Sequence, residues 1–284
     1  MRIFLFLLTL ICLHTHAAEP DWQPFQWGSG SLTDGPPERL ALLLPVSVNG
    51  IACTVQLDTG ANGEWNWRRR DAAAKGERAQ VNVAGRRRAI PANAANLAPL
   101  KEANCGGGPI AMVGNALFEN GTLTLDLGQA RYAYTEQPLL AGVHDAQPLL
   151  YLSWAEGGGH TVVEIRHAGT GLGYALLDTG AARFGLVASD DRMWQALIAG
   201  AKPSAGTSTF SFPGPGGETV SCGERPLEDG LEVAGKTLRN VSASYCQGHS
   251  FQAPMRLIGT LGMAALGNRT LVLDYLSRRW TLSD

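Results

Sequence analysis

The reading of this chain turns on Leu57-Asp58-Thr59-Gly60-Ala61, which returns unchanged as Leu177-Asp178-Thr179-Gly180-Ala181, 120 residues later. A second segment also repeats. Residues 119–132 (ENGTLTLDLGQARY) align without gaps to residues 267–280 (GNRTLVLDYLSRRW), 148 residues on. Six of those 14 positions are identical: Asn120/Asn268, Thr122/Thr270, Leu123/Leu271, Leu125/Leu273, Asp126/Asp274 and Arg131/Arg279. Gly114 and Gly262, each preceded by an apolar residue, share the same offset. The two matches occur in the same order in both halves, with 28 extra residues between them in the second. Collinear repetition of this kind marks a duplicated lobe.

Around the repeats the pattern is β. Residues 42–48, the turn Asn49-Gly50 and residues 51–57 read as a hairpin running into Asp58, since Asn-Gly is the preferred two-residue turn. Residues 122–127 alternate like a half-buried strand, and 270–274 echo them. One short helix is expected over 190–200, with Ser189 or Asp190 as N-cap, while 203–218 reads as loop and 136–148 as an interlobe linker. The 35 glycines and 15 prolines among 284 residues fit many tight turns and exclude a coiled coil or helical bundle. Apolar residues at 45% and charged ones at 17% support a sizeable core. A net charge of −2 gives no broad argument for binding nucleic acid.

Each Asp58 or Asp178 follows an apolar strand and precedes Thr-Gly-Ala, which places it on a tight turn leaving a buried strand. Gly is needed there for positive φ or for close approach of another chain. If the lobes pack about a pseudo-twofold axis, the two turns meet and the carboxylates come within a few ångströms. Like charges that close cannot both ionise, so the pair shares a proton. One carboxylate can then activate water while the other protonates a carbonyl oxygen, which is general acid–base hydrolysis of an amide.

The two Asp-Thr-Gly-Ala tetrads, with the later elements Val113-Gly114 and Ile258-Gly259-Thr260-Leu261-Gly262, resemble the aspartic proteases of the pepsin and retropepsin group. The resemblance covers residues 40–135 as a first lobe and 149–284 as a second. It implies an all-β bilobal fold with a peptide or protein substrate lying in an interlobe cleft across Asp58 and Asp178. It gives Thr59 and Thr179 an interlobe hydrogen-bonding role, and Gly60 and Gly180 the close turn beneath the dyad. The stretch 81–91, where the family carries a flap hairpin, has no Tyr and contains Arg86-Arg87-Arg88. Ala61 and Ala181 follow the motifs where pepsins often have a hydroxyl that stabilises the ionised carboxylate, so a mildly acidic working range is expected.

The N-terminus and the cysteines set the compartment. A basic start, an apolar run over 3–13 and small residues at 15–18 read as a signal peptide of residues 1–17, followed by a segment over 18–39. The run is too short to span a bilayer, so no membrane anchor is expected and the protein reads as exported, periplasmic or secreted. Cys53, Cys105, Cys222 and Cys246 then remain, and four cysteines allow three pairings. Cys53–Cys105 with Cys222–Cys246 is preferred, because each closes within one half.

The remaining features are read as structural. Asp126 and Asp274 are expected to form turns, and both arginine runs, 68–70 and 86–88, to lie on a solvated face, with 86–88 over the cleft as the alternative. Trp65 and Trp67 read as core or cleft wall. The histidines lack metal-ligand spacing, so no metal, cofactor or histidine role is assigned, and the chain reads as a monomer. The competing functional readings are a catalytically silent binder of a peptide or other ligand in the cleft and, less well supported, a carboxylate-pair glycosidase.

Overall fold

The computed structural model describes residues 20–32, 35–68, 77–155, 157–199, 206–213, 218–248 and 255–284. The expected signal peptide lies outside them. Among the described residues the strands assemble into one fifteen-stranded and one seven-stranded sheet, an all-β architecture of two similar lobes.

The strand leading to the first motif forms as its sequence dictates. Strands Glu38–Val48 and Ile51–Leu57 pair antiparallel from Leu42↔Leu57 to Val48↔Ile51. Asn49 and Gly50 close the turn with φ of 50° and 82°, the left-handed pair that a two-residue hairpin requires. Alternate residues Leu42, Leu44, Val46 and Val48 are buried, and so are Cys53, Val55 and Leu57 on the partner strand. Both motif strands acquire a parallel neighbour from the later glycine element: Leu57 pairs with Val113, and Leu177 with Leu261. The backbone around each Asp is therefore fixed from two sides.

The lobes join through the second repeat. Strand Thr122–Asp126 pairs antiparallel with Thr270–Asp274, with Thr122↔Asp274, Thr124↔Val272 and Asp126↔Thr270 in register. The central pair, Thr124 and Val272, is related by the repeat's own offset of 148, so the pseudo-twofold axis passes between them. The outer strands obey the same symmetry: Pro24↔Arg131 and Gln23↔Tyr132 in the first half match Pro148↔Arg279 and Gln147↔Trp280 in the second. Strands Thr122–Asp126 and Arg131–Thr135 thus lie within the fifteen-stranded sheet that carries the second lobe.

Several local expectations are corrected. The Thr-Leu alternation of 122–126 suggested one wet face, yet all five residues are buried, because the strand is central in its sheet and covered on both sides. The 203–218 stretch is not all loop: strand Ser208–Pro213 pairs with Thr219–Pro226. The expected linker yields its last residues to strand Gln147–Ser153. Helix Asp191–Ile198 forms where expected, with the Asp190 carboxylate accepting the Met193 N–H at 2.7 Å.

The hairpin Glu77–Val83 with Arg86–Ala92 turns at Ala84-Gly85, with Gly85 exposed, and the three arginines do not share one solvated face. Arg86 is buried; it donates to the Leu117 carbonyl and to the Tyr134 hydroxyl at 3.2 Å. Arg88 pairs with Glu64 at 2.8 Å and Arg87 alone of the three is fully exposed. Asp126 and Asp274 do form turns. Asp274 accepts the Leu276, Ser277 and Leu140 amides, and Asp126 accepts the Gln129 amide and the Arg131 side chain.

Both disulfides are present as Cys53–Cys105 and Cys222–Cys246. They are the signature of an oxidising, exported or extracellular setting, and no helix among the described residues is long and apolar enough to cross a membrane. They close loops of 52 and 24 residues. Replacing each pair by serines is expected to cost about 4 and about 3 kcal/mol respectively by the loop-entropy relation. Denaturant unfolding of the two variants measures this, and peptide mapping without reductant checks the pairing.

Candidate active site

The two repeated turns meet at the lobe interface by a reciprocal exchange. Thr59 N–H donates to Thr179 Oγ1 and Thr179 N–H donates to Thr59 Oγ1, each at 3.0 Å. Each hydroxyl in turn donates into the opposite strand: Thr59 Oγ1 to the Leu177 carbonyl at 2.7 Å, Thr179 Oγ1 to the Leu57 carbonyl at 3.0 Å. Both threonines are fully buried. A hydroxyl is needed at these positions because each must accept one hydrogen bond and donate another. Leaving such buried amides or carbonyls unpaired costs about 1–3 kcal/mol per group.

Glycine follows for a steric reason. A Cβ on Gly60 would sit 2.6 Å from Asp178 Cγ, and one on Gly180 would sit 2.6 Å from Asp58 Cγ. Neither glycine has positive φ; what each supplies is room for the carboxylate of the other lobe. The floor is equally tight. A Cβ on Gly114 would lie 2.3 Å from the Ala61 carbonyl oxygen, and one on Gly262 would lie 2.2 Å from that of Ala181. The later glycine elements therefore press directly under the two turns, as their amide bonds show: Gly114 to Gly63 and Gly262 to Gly185.

Asp58 and Asp178 are thus held face to face. Asp178 Oδ1 accepts the Gly180 amide at 2.7 Å and the Gly60 amide at 3.2 Å; Asp58 Oδ1 accepts the Ala61 amide at 3.1 Å. Burial, followed by the charge of Asp178 and a hydrogen bond shared with it, pushes the Asp58 carboxyl up to about 8, against the opposing pull of the Gly60 and Ala61 amides. One proton is accordingly retained between the two acids.

Several supporting residues carry no motif. Asn115, fully buried, donates to the carbonyls of Thr59 at 2.6 Å and Gly159 at 2.9 Å, and accepts from the hydroxyls of Tyr275 at 2.7 Å and Thr161 at 3.0 Å. It ties the first turn to the second lobe. Its only sequence signal is its place directly after Gly114; the equivalent residue in the other half is Met263. Arg183, beyond the second turn, bonds Glu38 at 2.9 Å and Glu224 at 2.8 Å. Trp65 and Trp67 pack edge-to-face on the core, with the Trp67 indole N–H on the Pro91 carbonyl at 2.7 Å. Among the described residues no three His, Cys, Asp or Glu side chains converge as metal ligands.

No family model matches the chain, and no curated protein is similar to it. Among solved structures it is similar to the crystal structure of basic 7S globulin from soybean, with 12% identity and a TM-score of 0.41 over 86% of this chain and 92% of that one.

Two outcomes are expected from the geometry alone. Gly60→Ala and Gly180→Ala should each displace the opposite carboxylate, seen as a changed carboxyl titration by 13C NMR in a chain that still folds. A group whose folded pKa is raised above its unfolded value contributes stability that is complete below about 3.8 and lost as pH rises towards about 8. Thermal melts of Asp58→Asn should therefore gain on the native chain progressively across that interval.

Proposed function

We propose that the protein is an exported aspartic-type endopeptidase in which Asp58 and Asp178 together hold and activate the attacking water. The observation that carries the reading is the reciprocal seating of the two carboxylates, each against the other lobe's glycine, with one proton retained between them. In that state one carboxylate takes a proton from water as its oxygen attacks the scissile carbonyl carbon. The other acid gives its proton to the carbonyl oxygen, forming a neutral tetrahedral diol. Collapse returns the carbonyl, breaks the C–N bond and passes a proton to the leaving nitrogen, so the pair ends singly protonated as it began. No covalent intermediate is required. Thr59, Thr179, Gly60 and Gly180 position the pair; the substrate is a peptide or protein lying across it.

The pH dependence follows from the same pair. Where pepsins often have a hydroxyl, Ala61 and Ala181 offer none, and only backbone amides and the partner acid bond to Asp58. The singly protonated state then persists through mildly acidic pH and is lost as pH rises through the upper ionisation of the pair.

Peptide-library cleavage between pH 3 and 7 tests this. Asp58→Asn and Asp178→Asn should each lower kcat/KM by about 10²–10⁴-fold, and a statine inhibitor, whose hydroxyl occupies the water's place, should block the native chain. Unchanged cleavage in either variant overturns the reading. Folded native chain that binds peptides with no turnover at any pH replaces it with a silent cleft binder.

A further inference from the structure

His160, which carries no motif, lies against the dyad. The segment that bears it comes from the second lobe and packs on the first lobe's turn. Gly158, at φ 71°, approaches so closely that a Cβ would meet the Asn62 carbonyl oxygen at 2.0 Å. On either side of His160, the Gly159 carbonyl and the Thr161 hydroxyl both bond Asn115, the residue that grips the Thr59 carbonyl. The backbone of His160 is therefore fixed relative to the dyad from both flanks.

Its half-buried ring is fixed as well. It packs in a T-shaped arrangement with Trp154, with centroids 5.7 Å apart and planes at 83°. Trp154 is itself held by the tight turn in which its amide bonds the Gly158 carbonyl at 3.0 Å. The imidazole donates to the backbone carbonyl of Gly60, an acceptor that favours the protonated ring, and it feels the charge of Asp178. Burial, the largest influence, lowers its proton affinity, while Asp178 and Gly60 restore part of it. Among the described residues the titratable groups facing it are Asp178 and, through the shared proton, Asp58; Leu152, its partner across the strands, carries no charge.

We infer that His160 is a positioning residue for the aspartate pair, clamping the Gly60–Ala61 peptide, whose Ala61 amide bonds Asp58, and, as an imidazolium, holding the pair singly ionised towards acid pH. The inference rests on the peptidase reading for its consequence in turnover, although the effect on the carboxylates does not need it. A cation beside two acids disfavours their second protonation, so the acid side of the working range is extended. Above the range where the ring is charged only the clamp remains. The donor therefore matters at every pH, and the charge only on the acid limb.

The test compares the native chain with His160→Gln, which keeps an N–H donor for Gly60 without charge, and His160→Phe, which has neither. Each is assayed for kcat/KM from pH 3 to 8 on a peptide mixture, and each carboxyl titration is followed by 13C NMR. The Gln variant should stay within about threefold of native at pH 6–7 while its acid limb moves up by about one pH unit, equivalent to ~1.4 kcal/mol. The Phe variant should lose about tenfold throughout, of which the Gln variant's turnover is the rescue. Native profiles in both variants overturn the inference. If the native chain does not turn over at all, the peptidase reading alone fails, and the carboxyl titrations decide: displaced in His160→Gln they support His160, superimposed on native they overturn it. Should the Phe variant not fold, the Gln variant decides alone.

Discussion

The structure depends on one exchange of hydrogen bonds. Thr59 and Thr179 each give an amide to the other's hydroxyl and a hydroxyl to the other's strand, entirely out of water. Both threonines are fully buried, and these four bonds satisfy groups that would otherwise be left unpaired, so the two turns are locked in one mutual geometry. That lock places each aspartate over the opposite glycine and leaves two acids at a separation where they must share a proton. The closeness is enforced by neutral hydrogen bonds and steric fit, and the electrostatic strain of the pair is borne by the fold.

Much of this was legible before any coordinates. The tetrads, the glycine elements and the Leu-x-Leu-Asp segments repeat in order, and duplicated residues must occupy equivalent places in duplicated lobes. The hairpin into Asp58 follows from Asn49-Gly50, and both disulfides follow from the proximity of their cysteines in each half. What escaped depends on who covers a strand or a side chain. Alternation of Thr and Leu over 122–126 cannot reveal that a second copy of the strand lies alongside and the polar face is covered too. Arg86 reads as part of a solvated run, yet its guanidinium reaches the Leu117 carbonyl because it pairs with buried Val83 and falls on the covered face of its strand. Asn115 and His160 lie outside every repeated motif, and their contacts come from segments distant in the chain.

These two residues also show where the twofold stops. The backbone of the site is close to symmetric, with Gly114 and Gly262 under the two turns and equivalent parallel pairings. The surroundings are not. Asn115 stands where the other half has Met263, and a histidine from the second lobe bonds the first lobe's Gly60 carbonyl. Two chemically identical acids are thereby given different environments, which is how a symmetric scaffold can hold one proton on a preferred side.

The pairing of Thr122–Asp126 with Thr270–Asp274 also governs how the chain can reach this state. The two strands join segments 148 residues apart in the sequence, and the threonine exchange spans 120. Until the later strand exists, the earlier one has an open edge of unpaired backbone groups, the kind of template on which chains associate wrongly. Contacts of such sequence separation form slowly, because a long loop must close before any reward is collected. Because the open strand's natural partner has nearly its own sequence, the first half of one chain is also a match for the first half of another. Assembly of the dyad is therefore in competition with exchange between chains, and completing the second lobe is what ends that competition.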